Sequence, residues 1–106
     1  MDIMGMMKKA QAVQAKLQEA QEELGRLEVE GQAGGGMVSV TLSAKGELKS
    51  IRIDASLLTP NDKEMLEDLI IAAFNDGKAK ADRLAAEKMQ ALTDGLPLPP
   101  GMKLPF

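Results

Sequence analysis

The side chains able to do chemistry in this sequence are carboxylates, lysines, arginines, hydroxyls and amides, because it has no histidine, cysteine, tryptophan or tyrosine. That inventory removes Ser-His-Asp and Cys-His nucleophilic sites, thiolate zinc centres and disulfides. A hydrolytic carboxylate pair or an oxygen-ligated metal remains formally open. The acidic group Asp62, Glu64, Glu67 and Asp68 has the oxygen density for a hard cation, but no loop offers the ligand spacing of an EF-hand. Glu64 and Asp68, four residues apart, instead share a helix face, as the solvated first turn of a helix requires. Gly34-Gly35-Gly36 lacks the Gly-Lys-Ser/Thr and the following helix of a phosphate loop; a strand-like run follows it, so it reads as a hairpin turn. No catalytic residue, metal, cofactor or small-molecule substrate is expected. A small carboxylate enzyme would require a cleft with paired acids, which the sequence does not suggest.

The basic residues are distributed unevenly. The formal charge of the 106 residues is -3, yet residues 1–18 carry Lys8, Lys9 and Lys16 against Asp2 alone. Residues 77–92 carry Lys78, Lys80, Arg83 and Lys88 against Asp82 and Glu87. The acidity is concentrated in residues 54–76, where Lys63 faces Asp54, Asp62, Glu64, Glu67, Asp68 and Asp76. A net charge is therefore a poor guide to partners here. If nucleic acid is bound, its mode is limited by the aromatic content, which is Phe74 and Phe106. Single-strand binders stack bases on aromatic rings, whereas lysines, arginines and glutamines such as Gln11, Gln14, Gln18 and Gln21 donate to duplex phosphates without reading sequence.

These residues need elements to carry them. Ile3, Met6, Ala10, Val13, Leu17, Ala20, Leu24 and Leu27 recur in alternating steps of three and four, the seam of a coiled-coil helix, with Gly5 and Gly25 as points where it can fray. Such a seam is an assembly surface, and self-association is expected. The period then drops to two: Val29, Gly31 and Ala33 alternate with Glu30 and Gln32, and after the glycines Val38, Val40 and Leu42 alternate with Ser39 and Thr41 over residues 37–43. Ala44-Lys45-Gly46-Glu47 reads as a turn and residues 48–54 as a third strand, Ile51 and Ile53 inward and Ser50 and Arg52 outward, completing an antiparallel meander. Thr59-Pro60 is expected to open a second long helix as N-cap and first helical residue. Its stripe runs Leu66, Leu69, Ile70, Ala73, Phe74, Gly77, Ala81, Leu84 and Leu92, ending near Asp94-Gly95. In that register Lys78 and Lys80 flank the stripe and Lys88 lies almost on it.

The expected class is α+β: one domain over residues 1–95, helix, three strands, helix, followed by a Pro-rich arm over residues 96–106. The arm either packs Leu98, Met102 and Phe106 on the body or is a free tail. No repeat longer than the heptad is detectable. A chain of this length buries only roughly two thirds of its unfolded surface, so a second subunit would help it. No apolar run reaches the roughly 18 residues of a membrane span, and Lys8 and Lys9 break any signal-peptide core, so a cytosolic protein is expected.

The heptad helix, the Gly34-Gly35-Gly36-Met37-Val38 turn, Gly46, Ile51-Arg52-Ile53-Asp54, Leu57-Leu58, Glu67-Asp68-Leu69-Ile70, Ala72-Ala73, Asn75-Asp76 and the ending Leu98-Pro99-Pro100-Gly101-Met102-Lys103-Leu104-Pro105-Phe106 together resemble the YbaB/EbfC family of bacterial nucleoid-associated proteins. The resemblance covers nearly the whole chain, and the combination of the glycine run with the Pro-Pro-Gly-Met ending is specific. It implies a cytoplasmic, nucleoid-located homodimer with a central sheet and long helices projecting like tweezers. Such a dimer binds duplex DNA with low sequence preference, alters its conformation, and acts in nucleoid organisation, gene regulation and DNA protection. DNA contact on the first and last helices, carried onto this chain, points to Lys8, Lys9, Lys16, Lys78, Lys80, Arg83 and Lys88. The alternative for the same element order is a prefoldin-like chaperone or coiled-coil adaptor.

Overall fold

In the computed structural model, which describes residues 2–94, the N-terminal seam forms helix α1, Ile3–Arg26. Residue 1 and residues 95–106, including the expected helix stop at Gly95 and the Pro-rich arm, lie outside the described residues. The Asp2 carboxylate accepts the Gly5 N–H at 3.1 Å and so caps the helix start. The glycines at positions 5 and 25 do not interrupt it.

Three strands follow in chain order: β1, Glu28–Ala33; β2, Val38–Ser43; and β3, Leu48–Ile53. They pair antiparallel in the order β1-β2-β3. Gly34, Gly35 and Gly36 join β1 to β2 with φ of 64°, 67° and 94°, a run of left-handed conformations that only glycine adopts without steric cost. The β2–β3 turn is built on the buried Ser43, whose Oγ accepts the N–H groups of Lys45 and Glu47 at 3.2 and 3.3 Å. The same turn holds α1: the Ala44 N–H donates to the carbonyls of Leu24 and Leu27 at the helix end.

The long C-terminal helix α2, Lys63–Asp94, lies across the sheet with its first half. Thr59 does not cap it. A separate 3-10 turn, Pro60–Asp62, intervenes, and the Thr59 hydroxyl donates to the Asp62 carboxylate at 2.7 Å, so the threonine oxygen is engaged by a side chain and makes no capping bond to a backbone N–H. Val38, Val40, Leu42, Leu57 and Ala73 form the main core, flanked by Leu66, Leu69, Ile70 and Phe74. A second cluster, Leu24, Ala44 and Met89 with Ala20, Leu27, Leu84, Ala85 and Leu92, joins α1, the β2–β3 turn and the second half of α2.

The crossing of α2 over β1 is made by two glycines. A Cβ on Gly31 would stand 2.7 Å from the Gly77 Cα, and closer still to the Ala73 carbonyl oxygen and the Gly77 nitrogen. Helix backbone therefore rests on strand backbone. This displaces α2 toward β1 and leaves β3 uncovered. Ile51 pairs with Val40 and so shares its face, but it is 45% exposed, and Leu48 is 46% exposed. The expectation that Ile51 points into the core is corrected: it is on the right face, but the helix does not reach it. The heptad seam is covered only in part within one chain. Leu24 is buried and Val13, Leu17 and Ala20 are half-buried, whereas Ile3 and Met6 are 67% and 60% exposed, because α2 accompanies only the C-terminal part of α1.

Candidate nucleic-acid interface

The seven candidate cations fall into three places. Lys8 and Lys9 are exposed on the part of α1 that has no neighbour among the described residues, with Gln11, Gln14 and Gln18 also exposed along the helix. Lys16 and Lys88 line a shallow groove between the two helices, together with Glu19, Ala20, Glu23, Ala91 and Leu92. Lys78, Lys80 and Arg83 lie nearer the sheet, divided between the two flanks of α2: Lys80 and Arg83, three residues apart, share one flank, and Lys78 is on the other.

Four of the seven have no carboxylate within ion-pair reach among the described residues: Lys8, Lys9, Lys16 and Arg83. The others are engaged. Lys88 meets Glu23 across the groove at 3.5 Å. Lys78 pairs with Asp82 one turn on, and its methylene stem passes over Gly46 in the β2–β3 turn. These are half-exposed pairs whose net worth in water is about 0–1 kcal/mol, small enough for a phosphate oxygen to replace the carboxylate.

Lys80 has a structural task that its position in the sequence does not disclose. Its ammonium donates to the Glu30 carbonyl at 3.0 Å and meets Asp76 at 3.1 Å, while Asp76 accepts the Gln32 N–H at 3.0 Å. Glu30 and Gln32 are alternate residues of β1, and in an antiparallel strand their backbone groups point to the same side, here the side away from β2. One Asp-Lys pair on α2 thus supplies an acceptor and a donor to the free edge of the sheet, guarding it against pairing with another chain. The Gln32 N–H, followed by Lys80, holds the Asp76 carboxyl below the usual carboxylate range. The Ser56 N–H and hydroxyl do the same for Asp54 at the turn after β3.

Sequence reasoning passed over two further lysines. Lys49 is skipped in the β2–β3 register, where Thr41 faces Ser50 and Leu42 faces Leu48. Its ammonium reaches the Gly25 carbonyl at 3.1 Å and Glu28 at 3.7 Å, a cation at the C-terminal end of α1 where the helix dipole favours it. Lys45, in the turn, lines a depression with Gln21, Glu47 and Asp82. Turn residues carry no periodic signal, so only the chain's path places Lys45 beside α2. The arrangement offers exposed cations on helix surfaces. Among the described residues no acidic cluster is arranged to hold a metal, and no helix is long and apolar enough to cross a membrane.

Comparison with known proteins finds a matching family and several relatives. The sequence model of the YbaB/EbfC DNA-binding family matches residues 1–96. The chain is 61% identical over 105 residues to a nucleoid-associated protein of Methylocella silvestris, covering 99% of this chain and 98% of that one. With the same coverage it is 57% identical to the nucleoid-associated protein mlr5504 of Mesorhizobium japonicum. Its fold is similar to the crystal structure of the uncharacterized protein HP0035 from Helicobacter pylori, with a TM-score of 0.72 and 29% identity over 89% of this chain and 97% of that one.

Proposed function

This chain belongs to the YbaB/EbfC DNA-binding family, and from that premise we propose that it is a non-enzymatic nucleoid protein that binds duplex DNA as a homodimer through phosphate contacts. The observation that carries the reading is the cationic side of α1, where Lys8 and Lys9 on its free limb and Lys16 at the mouth of the groove stand exposed with no carboxylate in ion-pair reach among the described residues. The acids of α1, Glu19, Glu22 and Glu23, are gathered at its other end, beside the sheet. The limb is therefore locally cationic although the chain is acidic, and local potential governs encounter with a polyanion. Arg83 joins this set first. Lys88 and Lys78 contribute by exchanging a carboxylate for a phosphate, and Lys80 contributes least because the β1 edge already uses it.

The homodimer reading rests on the asymmetry of the sheet. The β1 edge is occupied by Asp76 and Lys80, while β3 has no strand on its outer side among the described residues and exposes Leu48 and Ile51. An open edge with an apolar face beside it suits an isologous contact with a second copy, which places two helix pairs on one particle. Two cationic limbs on one dimer contact separated phosphates of a single duplex, and this is how the protein alters DNA conformation in nucleoid organisation, gene regulation and DNA protection, in the cytoplasm. Sequence preference is low, because lysines on phosphates carry no base readout.

The test is a binding titration over salt on several unrelated duplexes. Log affinity is expected to fall linearly with log salt at about -0.9 per phosphate neutralised, and the triple reversal Lys8→Glu, Lys9→Glu, Lys16→Glu to weaken all duplexes alike while making that slope shallower. Affinity indifferent to salt, or a triple variant that binds as tightly as the parent, overturns the proposal.

A further inference from the structure

Glu19 and Glu23 are the residues of the helix groove that phosphate contact leaves unexplained. They line it from α1 together with Lys16, and Lys88 lines it from α2. Two cations against two carboxylates leave the groove formally neutral, although both of its lysines are candidate phosphate contacts. Glu19 and Glu23 follow Lys16 by three and seven residues, so all three stand on one flank of the helix. Between the charged side chains lie Ala20 and Leu92, both half-buried.

The two lysines are not equivalent. Lys16 has no carboxylate in ion-pair reach among the described residues, whereas Lys88 reaches across the groove to Glu23 at 3.5 Å. The side chains of that pair are 45% and 51% exposed, so water and salt weaken it and a second anion can take the carboxylate's place. A phosphate entering the groove therefore meets a free ammonium at Lys16 and an occupied one at Lys88. To seat on Lys88 it must displace Glu23. The displaced carboxylate cannot go far, because its backbone is held in the last turn of α1, and it then repels the phosphate that replaced it. Both effects oppose binding, and both come from one side chain.

Resting on the reading that the protein binds duplex DNA, we propose that Lys16 and Lys88 form one phosphate seat across the groove and that Glu23 is its built-in competitor. This carboxylate is autoinhibitory: it holds affinity below what the two lysines alone would give. The occupant is the phosphodiester backbone of a duplex. Glu23 keeps the contact reversible, since it recaptures Lys88 whenever the phosphate leaves. The competition also marks the salt dependence. When Lys88 neutralises a phosphate, the uncovered Glu23 gathers a cation from solution and offsets the one that the DNA releases. Without the carboxylate that offset is lost.

Glu23→Gln keeps the shape of the side chain and removes its charge, which permits a direct test in the full-length protein. In salt titrations on one duplex the variant is expected to bind about two- to fivefold more tightly at low salt, the range that a half-exposed ion pair represents. Its log-log slope should be steeper by up to about 0.9, so that the two curves converge as salt rises. Glu22→Gln makes the same change of charge on the adjacent residue, about 100° round the helix, and should give a smaller gain with the parent's slope. In a Lys88→Gln background Glu23→Gln should give no gain. A Glu23→Gln protein that binds no tighter than the parent, a gain matched by Glu22→Gln, or a gain that survives the loss of Lys88 overturns the proposal. A parent that binds without salt dependence overturns the phosphate reading itself, and this inference with it; a salt-dependent parent beside an indifferent Glu23→Gln overturns the inference alone.

Discussion

Alanine at Gly31 and alanine at Gly25 are the same chemical change with opposite expected outcomes. At Gly31 the new methyl would sit 2.7 Å from the Gly77 Cα and nearer still to two other backbone atoms of α2. Ordinary carbon contacts lie at about 3.5 Å or more, so α2 must retreat by about 0.8 Å or further. No rotamer change relieves the clash, because the obstructing atoms are main chain. Overpacking a well-filled contact costs about 1–3 kcal/mol, and a backbone-on-backbone clash belongs at the upper end, near 3 kcal/mol. The retreat also stretches the bonds from Asp76 and Lys80 to the β1 edge, each 3.0 Å long. At Gly25, by contrast, the nearest atoms to a new Cβ are those of the Lys45 stem at 3.9 Å, and the residue lies within α1. Alanine there gains about 0.5–1 kcal/mol from helix propensity and reduced unfolded-state entropy. Urea unfolding followed by circular dichroism, at one fixed protein concentration, should move the Gly31→Ala midpoint down and the Gly25→Ala midpoint up. At about 4–8 °C per kcal/mol for a domain of this size, the melting temperature of Gly31→Ala should fall by roughly 12–24 °C. A Gly31→Ala protein as stable as the parent would refute the close approach of helix and strand from which the uncovered β3 face follows.

Two further outcomes are expected. Ile51→Arg places a charge on the uncovered β3 face, and since the side chain is already 45% exposed, the fold should survive while light scattering or sedimentation reports a monomer; an unchanged dimer removes β3 from the subunit contact. Asp76, held below its ordinary value of 3.8 by the Gln32 N–H and Lys80, contributes stability that is complete above that value and is lost as pH falls through the lower folded-state value. Urea midpoints measured from about pH 6 down to about pH 2 should therefore decline less in Asp76→Asn than in the parent, and identical declines would dismiss the carboxylate's role at the strand edge.

The alternation of Val38, Val40 and Leu42 and the 3.5-residue spacing of α1 announced elements and faces correctly, because an isolated strand or helix has only one way to gather those side chains on one side. The same patterns do not say how far the opposing element extends. Ile51 and Ile3 obey their periods and still remain exposed, since burial depends on where α2 lies, and that is decided by the contact of Gly31 with Gly77, residues 46 positions apart in the chain. The candidate cations show the same division. Regional charge located basic stretches on both helices, but the stretches are silent about partners. Lys80 became an edge guard because folding brought it to the Glu30 carbonyl, 50 residues away in sequence. Met89, buried at 7% exposure, and Lys88, in the groove beside Glu23, are adjacent residues whose fates depend on where α1 stands.

What the sequence determined by itself was local: the order of helix, meander and helix, and a side-chain inventory without histidine or cysteine. These follow from composition and from periodicities that act over a few residues. Only the tertiary structure decided which lysines are free, which strand edge is closed and which half of the α1 seam is covered. Those outcomes depend on distances between segments far apart in the chain, and two glycines set the central one by letting two backbones touch.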